Sequence, residues 1–386
     1  MKFIERTLGA GLVRAAEGFP ALILTGARRT GKTTLLRHIF SGADYVLLED
    51  PDEMARASAD PRGFLDARRL PVILDEIQNV PELFNYIRTR IDAEPGRCGD
   101  WLLTGSQESS LMRGVSESMA GRAAVFQLLP LSCEEAFGVS LFRGGFPEVL
   151  ARPSFADTWF RSYVQTYLER DVRSIAAIRD LGTFRRFIAL VASRSGQILN
   201  KTDLAAPLGV SVPTISQWLG ILETTGQILL VPPFYENFGK RLIKSPKLFF
   251  VDSGLGCHLL GVRDRKTLSL SPFLGPLFEG FVASEIAKHR LHRGLDRGLY
   301  YFRDRQGLEV DFVVHRGNRR LTLIEAKASQ TPKPDMAAPM SRLAGAVKNY
   351  ETNAFVVHAA TGARAADSSL SRDARAVGVS RLGSIL

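Results

Sequence analysis

Two groups of residues in this 386-residue sequence have the types and spacing to do chemistry. The first lies in TGARRTGKTTLLRHIF, where Gly26, Gly31, Lys32 and Thr33 satisfy G-x-x-x-x-G-K-[ST] at every defined position. A loop of this kind, with Ala27, Arg28, Arg29 and Thr30 between its glycines and Thr34 behind them, turns backbone N–H groups inward onto phosphate. The start of the helix that follows adds positive potential there. Lys32 is expected to neutralise the β- and γ-phosphates and the Thr33 hydroxyl to coordinate magnesium, so ATP and Mg2+ are the cofactors implied. Further along, the apolar run of RRLPVILDEIQNV ends in Asp75 and Glu76. Two carboxylates at a strand's C-terminal edge, following a complete phosphate loop, point to hydrolysis. Asp75 would hold the metal through water, and Glu76 would orient or deprotonate the attacking water.

A third apolar run, in CGDWLLTGSQESSL, ends in Thr104, Gly105 and Ser106. Ser106 is the candidate sensor of the γ-phosphate or the lytic water; a turn or N-cap residue is the alternative reading. Arg122, in SMAGRAAVFQLLPLS, could stabilise transition-state charge in cis or in trans, or serve as a surface or structural arginine.

The second group is LEVDFVVHRGNRRLTLIEAKAS. It reads as strand, turn at Gly317 and Asn318, then strand. Alternation places Glu309 and Asp311 on one face of the first strand, and Leu323, Glu325 and Lys327 on one face of the next. If the strands pair, an Asp and a Glu meet beside a Lys. That grouping can bind a hard divalent metal through oxygen and activate a water against a phosphodiester. A surface ion pair or an inactive acid cluster remains the other reading.

The succession of strand, phosphate loop, helix, acidic strand end and polar strand end resembles the AAA-like branch of P-loop ATPases. More narrowly, GARRTGKTTLL, LDEIQNVPELF, LLTGSQESSLM, AGRAAVFQLLPLS and GGFPEVL look like a family of prokaryotic ATP-binding proteins. In that family the ATPase domain is joined to a C-terminal restriction-endonuclease-like domain of unknown function. The resemblance covers nearly the whole chain. It implies that Asp311, Glu325 and Lys327 match the acidic-x-Lys core of restriction-like nucleases, and that Glu279, on a helix, completes a metal site of four residues.

These residues need elements to hold them. The fold class expected is α/β in three parts: an AAA-like P-loop NTPase domain over 1–140, a helical and winged-helix middle over 141–250, and a restriction-endonuclease-like α/β domain over 251–386. In the middle part Phe160, Tyr163, Val164, Tyr167 and Leu168 form an apolar stripe at helical spacing, and Arg170 with Asp171 reads as an interdomain ion pair or, alternatively, as a contact to a neighbouring subunit's nucleotide. Lys201 to Leu208, closed by Gly209, and then Pro213 to Thr225 read as helix-turn-helix, with an apolar hairpin-like run after them. Thr214, Ser216, Gln217 and Trp218 would lie at the start of the second helix, where base edges are read. That helix carries no Lys or Arg, so phosphate contacts would have to come from Lys201, Lys240, Arg241 or Lys244.

Lys plus Arg number 50 against 40 Asp plus Glu, and the formal charge of +10 favours a polyanionic partner such as DNA or RNA. Cys98, Cys133 and Cys257 are widely separated, which argues against a disulfide framework or a zinc site and fits a reducing cytoplasm. The N-terminal apolar run is too short for a signal peptide core or a membrane span, so no membrane is expected among the partners; a homo-oligomer stays open, since the sequence does not give the oligomeric state. The Ala/Ser/Gly/Arg-rich C-terminal end is expected to be partly mobile. Three functions stay open: ATP-driven action on nucleic acid, a nucleotide-dependent regulatory switch, and a protein-remodelling ATPase with an inactive nuclease-like domain.

Overall fold

Five apolar runs in the N-terminal third become parallel strands: β1 (Ala21–Thr25), β2 (Asp44–Leu47), β3 (Val72–Asp75), β4 (Trp101–Gly105) and β5 (Ala123–Gln127), in the order β2-β3-β4-β1-β5. Every residue of β1, β3 and β4 is buried, as expected of parallel strands covered on both faces. One face packs on Leu8, Leu12, Leu35 and Leu36, the other on Phe64, Leu83, Phe84 and Ile87. Each such side chain contributes about 1.5–3 kcal/mol on full burial. The chain leaves β1, crosses to β2 at the far edge, and returns through β3 and β4. The C-terminal ends of β1, β4 and β3 are thereby brought side by side, where open α/β sheets bind ligands.

The computed structural model describes residues 3–105, 118–168, 180–234, 245–360 and 367–386. They form two compact units. The first is Met1–Pro130 with Thr224–Gly226 and Leu291–Leu295; the second is Leu131–Glu223, Gln227–Arg290 and Asp296–Leu386. Ser106, Arg170, Asp171, Lys240, Arg241 and Lys244 lie outside the described residues.

In the second unit, helices Leu181–Ser193, Lys201–Ala205 and Val212–Thr224 precede an antiparallel pair, β6 (Ile228–Val231) and β7 (Lys247–Phe250). Local chemistry sets the breaks. Asp180 and Asn200 accept hydrogen bonds from N–H groups of the first turns they cap, and Gly209 closes the middle helix with a left-handed φ of 65°. Helix Ala156–Tyr163 puts Phe160 and Tyr163 into the same core, with Val164 half-buried against it. Trp218 corrects one expectation. Only 4% exposed, it packs against Phe184 and Phe187 with ring centroids 5.4 and 5.1 Å away, so it is core rather than a reader of bases.

A six-stranded mixed sheet follows, ordered β12-β13-β11-β10-β9-β8: β8 (Leu299–Arg303), β9 (Glu309–His315), β10 (Arg320–Lys327), β11 (Glu351–His358), β12 (Ser368–Ser371) and β13 (Ala374–Gly378). Helix Ala338–Ala346 connects the parallel neighbours β10 and β11, and helix Leu274–Leu291 precedes the sheet in sequence. Of the chain end expected to be partly mobile, residues 361–366 lie outside the described residues, and the rest supplies β12 and β13. Small residues fit that role, since Ala374 and Ala376 turn inward while Arg375, on the exposed face, lays its guanidinium 4.9 Å from the centroid of the Phe355 ring.

Candidate functional site

The phosphate loop leaves β1 at Thr25, whose hydroxyl donates to the Phe126 carbonyl at 3.0 Å. Gly26 has a φ of 143°, and a Cβ there would sit 2.2 Å from the Leu128 carbonyl oxygen, so only glycine fits. Arg29 takes a left-handed φ of 64°, as does Gly31, with φ 94°, at the N-cap of helix Lys32–Ile39. A non-glycine residue in that region is costly and concentrates at functional sites. Ala27 and Thr30 are buried, Arg28 pairs with Glu49 at 3.7 Å, and Thr34 points to solvent. Beneath the loop, Arg6 donates to the carbonyls of Thr30 and Leu129 at 2.9 and 2.6 Å, a contact no local motif foretells. The Lys32 ammonium is buried and donates to the Gly26 and Ala27 carbonyls, each at 3.1 Å, which places it at the mouth of the loop.

Across β4, the end of β3 presents Asp75, only 3% exposed. Thr33 donates its hydroxyl to both Asp75 oxygens, at 3.1 and 2.8 Å, and Tyr45 on β2 donates to Oδ2 at 2.9 Å. The Thr104 hydroxyl also donates to Oδ1 of Asp75, and itself accepts from the Glu76 N–H at 3.2 Å. Burial, and after it the Asp75 carboxylate, pushes the Tyr45 phenol well above its ordinary pKa and keeps it a donor. Glu76, half-buried in a left-handed conformation with φ 58°, accepts a hydrogen bond from the Gln78 amide. Hydroxyl and carboxylate oxygens this close, on the strand next but one to the phosphate loop, are the hard donors that Mg2+ takes. The residues therefore fit the ion.

The structure brings Lys32, Thr33, Asp75 and Glu76, the residues expected from the sequence, to the same end of the sheet, with Thr33 in contact with Asp75. Sequence reasoning missed Tyr45 and Thr104, whose role depends on strand order alone. Arg122 stays apart. It precedes β5, level with the start of β1 and so at the opposite edge of the sheet from the loop, where it makes a bidentate pair with Asp92 at 2.6 and 2.9 Å. Within its own chain it matches the surface-arginine reading.

Tyr45→Phe keeps the ring beneath the Arg37 guanidinium, which lies 4.6 Å from its centroid, and removes one hydrogen bond to a charged group. We predict that the Mg2+ concentration for half-maximal ATP hydrolysis rises about tenfold, equivalent to about 1.4 kcal/mol, with metal-free nucleotide affinity unchanged. An unaltered Mg2+ requirement would mean that Thr33 and Thr104 suffice to hold Asp75.

The C-terminal acids also assemble. Pairing of Ile324 with Phe312 brings Asp311 and Glu325 next in line on β9 and β10, and the Ala326 N–H donates to Asp311 Oδ2 at 2.9 Å. The Lys327 ammonium contacts Glu325 at 2.6 Å and lies 4.0 Å from Asp311. Glu279, from helix Leu274–Leu291, does not meet Lys327. It pairs at 2.8 Å with Lys247, the first residue of β7, which also contacts Glu309 at 2.7 Å and lies 3.8 Å from Asp311. Burial and then Asp311 push Glu279 up to about 8 and Glu325 up to about 7. Burial alone would favour neutral Lys247, but the carboxylates of Glu279, Asp311 and Glu309 outweigh it and raise its pKa. Among the described residues, no three His, Cys, Asp or Glu side chains converge as ligands of one ion. No single described helix is long and apolar enough to cross a membrane.

Residues 18–137 match the model of an AAA domain, while 134–266 and 274–370 match two domains of unknown function, DUF8612 and DUF4143. The chain is 32% identical over 336 residues to the uncharacterized proteins Rv2008c of Mycobacterium tuberculosis and Mb2031c of Mycobacterium bovis, covering 85% of this chain and 75% of each. It is 22% identical over 355 residues to the uncharacterized protein MJ1544 of Methanocaldococcus jannaschii, covering 81% of this chain and 76% of that one. Among solved structures, the Walker-type ATPase PABY2304 of Pyrococcus abyssi aligns over 65% of this chain and 94% of its own, at 15% identity and a TM-score of 0.43. RuvB of Thermotoga maritima aligns over 58% and 86%, at 16% identity and a TM-score of 0.29. Identity of this extent makes the chain a member of the family of the uncharacterized proteins Rv2008c and Mb2031c, and its own complete phosphate loop, facing an acidic strand end within a matched AAA domain, supports binding and hydrolysis of ATP.

Proposed function

We propose that the protein is a Mg2+-dependent ATPase that couples hydrolysis to action on nucleic acid. The contact of Thr33 with Asp75 beside the phosphate loop, with Glu76 one residue on, carries the ATPase reading. Backbone N–H groups of the loop and the start of helix Lys32–Ile39 bind the phosphates, and Lys32 neutralises their charge. Thr33 and Asp75 would hold Mg2+, which supplies electrostatic stabilisation of the phosphate charge when bound. Tyr45 and Thr104 orient Asp75, and Glu76 takes or positions the proton of the attacking water.

The nucleic-acid half rests on the second unit. Three helices, the β6–β7 hairpin and a bridge between Ile198 and Lys247 follow the order of a winged helix, with Gln217 and Lys201 exposed. ATP turnover should rise severalfold with single-stranded DNA, duplex DNA or RNA, and the affinity for that ligand should fall steeply with salt, by about 0.9 in log–log slope for each duplex phosphate contacted. A flat response to all three would remove nucleic acid as the partner and leave the regulatory-switch and protein-remodelling readings.

A second reading, of Asp311 and Glu325 as the carboxylates of a restriction-endonuclease-like cation site, has an observation of its own. Glu325 is 8% exposed, and its Oε2 is buried with no hydrogen-bond partner. An uncompensated carboxylate oxygen in that setting is costly unless a cation meets it.

A further inference from the structure

Seven charged side chains share the C-terminal cluster; six divide into two nests, and the seventh, Arg303, pairs with Glu309 at 3.4 Å from the rim. In one, Asp311 Oδ2 and Glu325 flank Lys327, which is a third exposed, and Glu325 keeps one oxygen unpartnered. In the other, Glu279, Glu309 and the second oxygen of Asp311 surround Lys247, whose side chain is 3% exposed. The Lys247 ammonium also lies 5.6 Å from the centroid of the Tyr301 ring. Carboxylate oxygens are the donors a hard divalent ion takes, but those of Glu279, Glu309 and Asp311 are spread about an ammonium and do not converge as ligands of one ion while Lys247 stands between them. Here an ammonium on a four-carbon stem sits among them. Without its charge, Glu279 and Asp311 would face one another buried and without a cation between them, while Glu309, a third exposed, would keep Arg303 at 3.4 Å, and the buried pair would favour taking up a cation or a proton.

We propose that Lys247 is the tethered cation of this site: its ammonium fills a position that a divalent ion would otherwise take, and leaves Asp311 and Glu325 as the place for one exchangeable ion. The proposal rests on the reading of Asp311 and Glu325 as a cation site. Its consequence is specificity, since the C-terminal domain takes one fewer divalent ion than its carboxylates could hold. Lys247 acts as a positioning residue. It is too deeply buried to meet a substrate, and it fixes the rotamers of Glu279 and Glu309 while holding one side of Asp311.

The test counts Mn2+ bound to the full chain by electron paramagnetic resonance, without nucleotide and in an Asp75→Asn background so that the ATPase metal site is silent. Lys247→Met, unbranched and of similar length, should bind one Mn2+ more per chain than the background. Lys247→Arg, which keeps the charge, should bind no more than the background. Equal stoichiometry in the Met variant and the background overturns the proposal. Should Lys247→Met melt before it can be titrated, Lys247→Gln is read the same way. The underlying reading is judged separately: Asp311→Asn should lose the ion that the background binds. A background with no Mn2+ to lose would overturn the reading of Asp311 and Glu325, whatever Lys247 does.

Discussion

Glu76→Gln is expected to bind ATP as the wild type does and to turn it over about 10²- to 10⁴-fold more slowly, the usual contribution of a positioned general base. The amide has the shape of the carboxylate and can accept a hydrogen bond from water, yet it cannot take the proton. Glu76 is well placed for this separation. Its backbone N–H is pinned to Thr104 and its side chain is held by Gln78, so substitution changes chemistry more than geometry. A nucleotide-binding titration beside a phosphate-release assay separates the two quantities. Turnover within a few fold of wild type would remove Glu76 as the base and move attention to the segment that follows β4.

Lys32→Ala should fail one step earlier. The ammonium is buried at the mouth of the phosphate loop, where its interaction with phosphate is little screened by water. Truncating one partner of a buried charge pair costs about 2–5 kcal/mol, so nucleotide affinity should fall by at least about 30-fold and hydrolysis with it. The loop should nevertheless persist. Gly26 and Gly31 keep their left-handed conformations, and Arg6 continues to hold Thr30 and Leu129 from below. Calorimetric titration with ATP gives the affinity and a melting curve gives the fold. Unimpaired binding in a folded Lys32→Ala protein would mean that the backbone N–H groups alone hold the phosphates.

The two substitutions produce different failures, loss of turnover with binding kept and loss of binding itself. A protein that used ATP only as a switch would show the second defect, while Glu76→Gln would leave its nucleotide-bound state intact.

What the sequence by itself determined is the chemistry written in contiguous residues. The phosphate loop could be placed because a glycine-bracketed turn between strand and helix is a local backbone event, complete within residues 26–33. Asp75 and Glu76 followed because a buried apolar run ending in two acids needs little more than its neighbours to be read. Alternation along β9 and β10 likewise placed Glu309 with Asp311 and Glu325 with Lys327 before any packing was known. The tertiary structure decided which residues meet across long stretches of chain. Tyr45 and Thr104 reach Asp75 because β2 and β4 flank β3, a strand order that no spacing in the sequence encodes. The same folding took Arg122 to the far edge of the sheet and Trp218 into the core, since the ends of parallel strands and the faces of packed helices are assigned only when the layers close. Lys247 is the clearest case. A lysine at the start of a hairpin strand has no motif of its own, and its partners arrive from a helix and a second strand that follow it, so its role exists only in the assembled charge cluster.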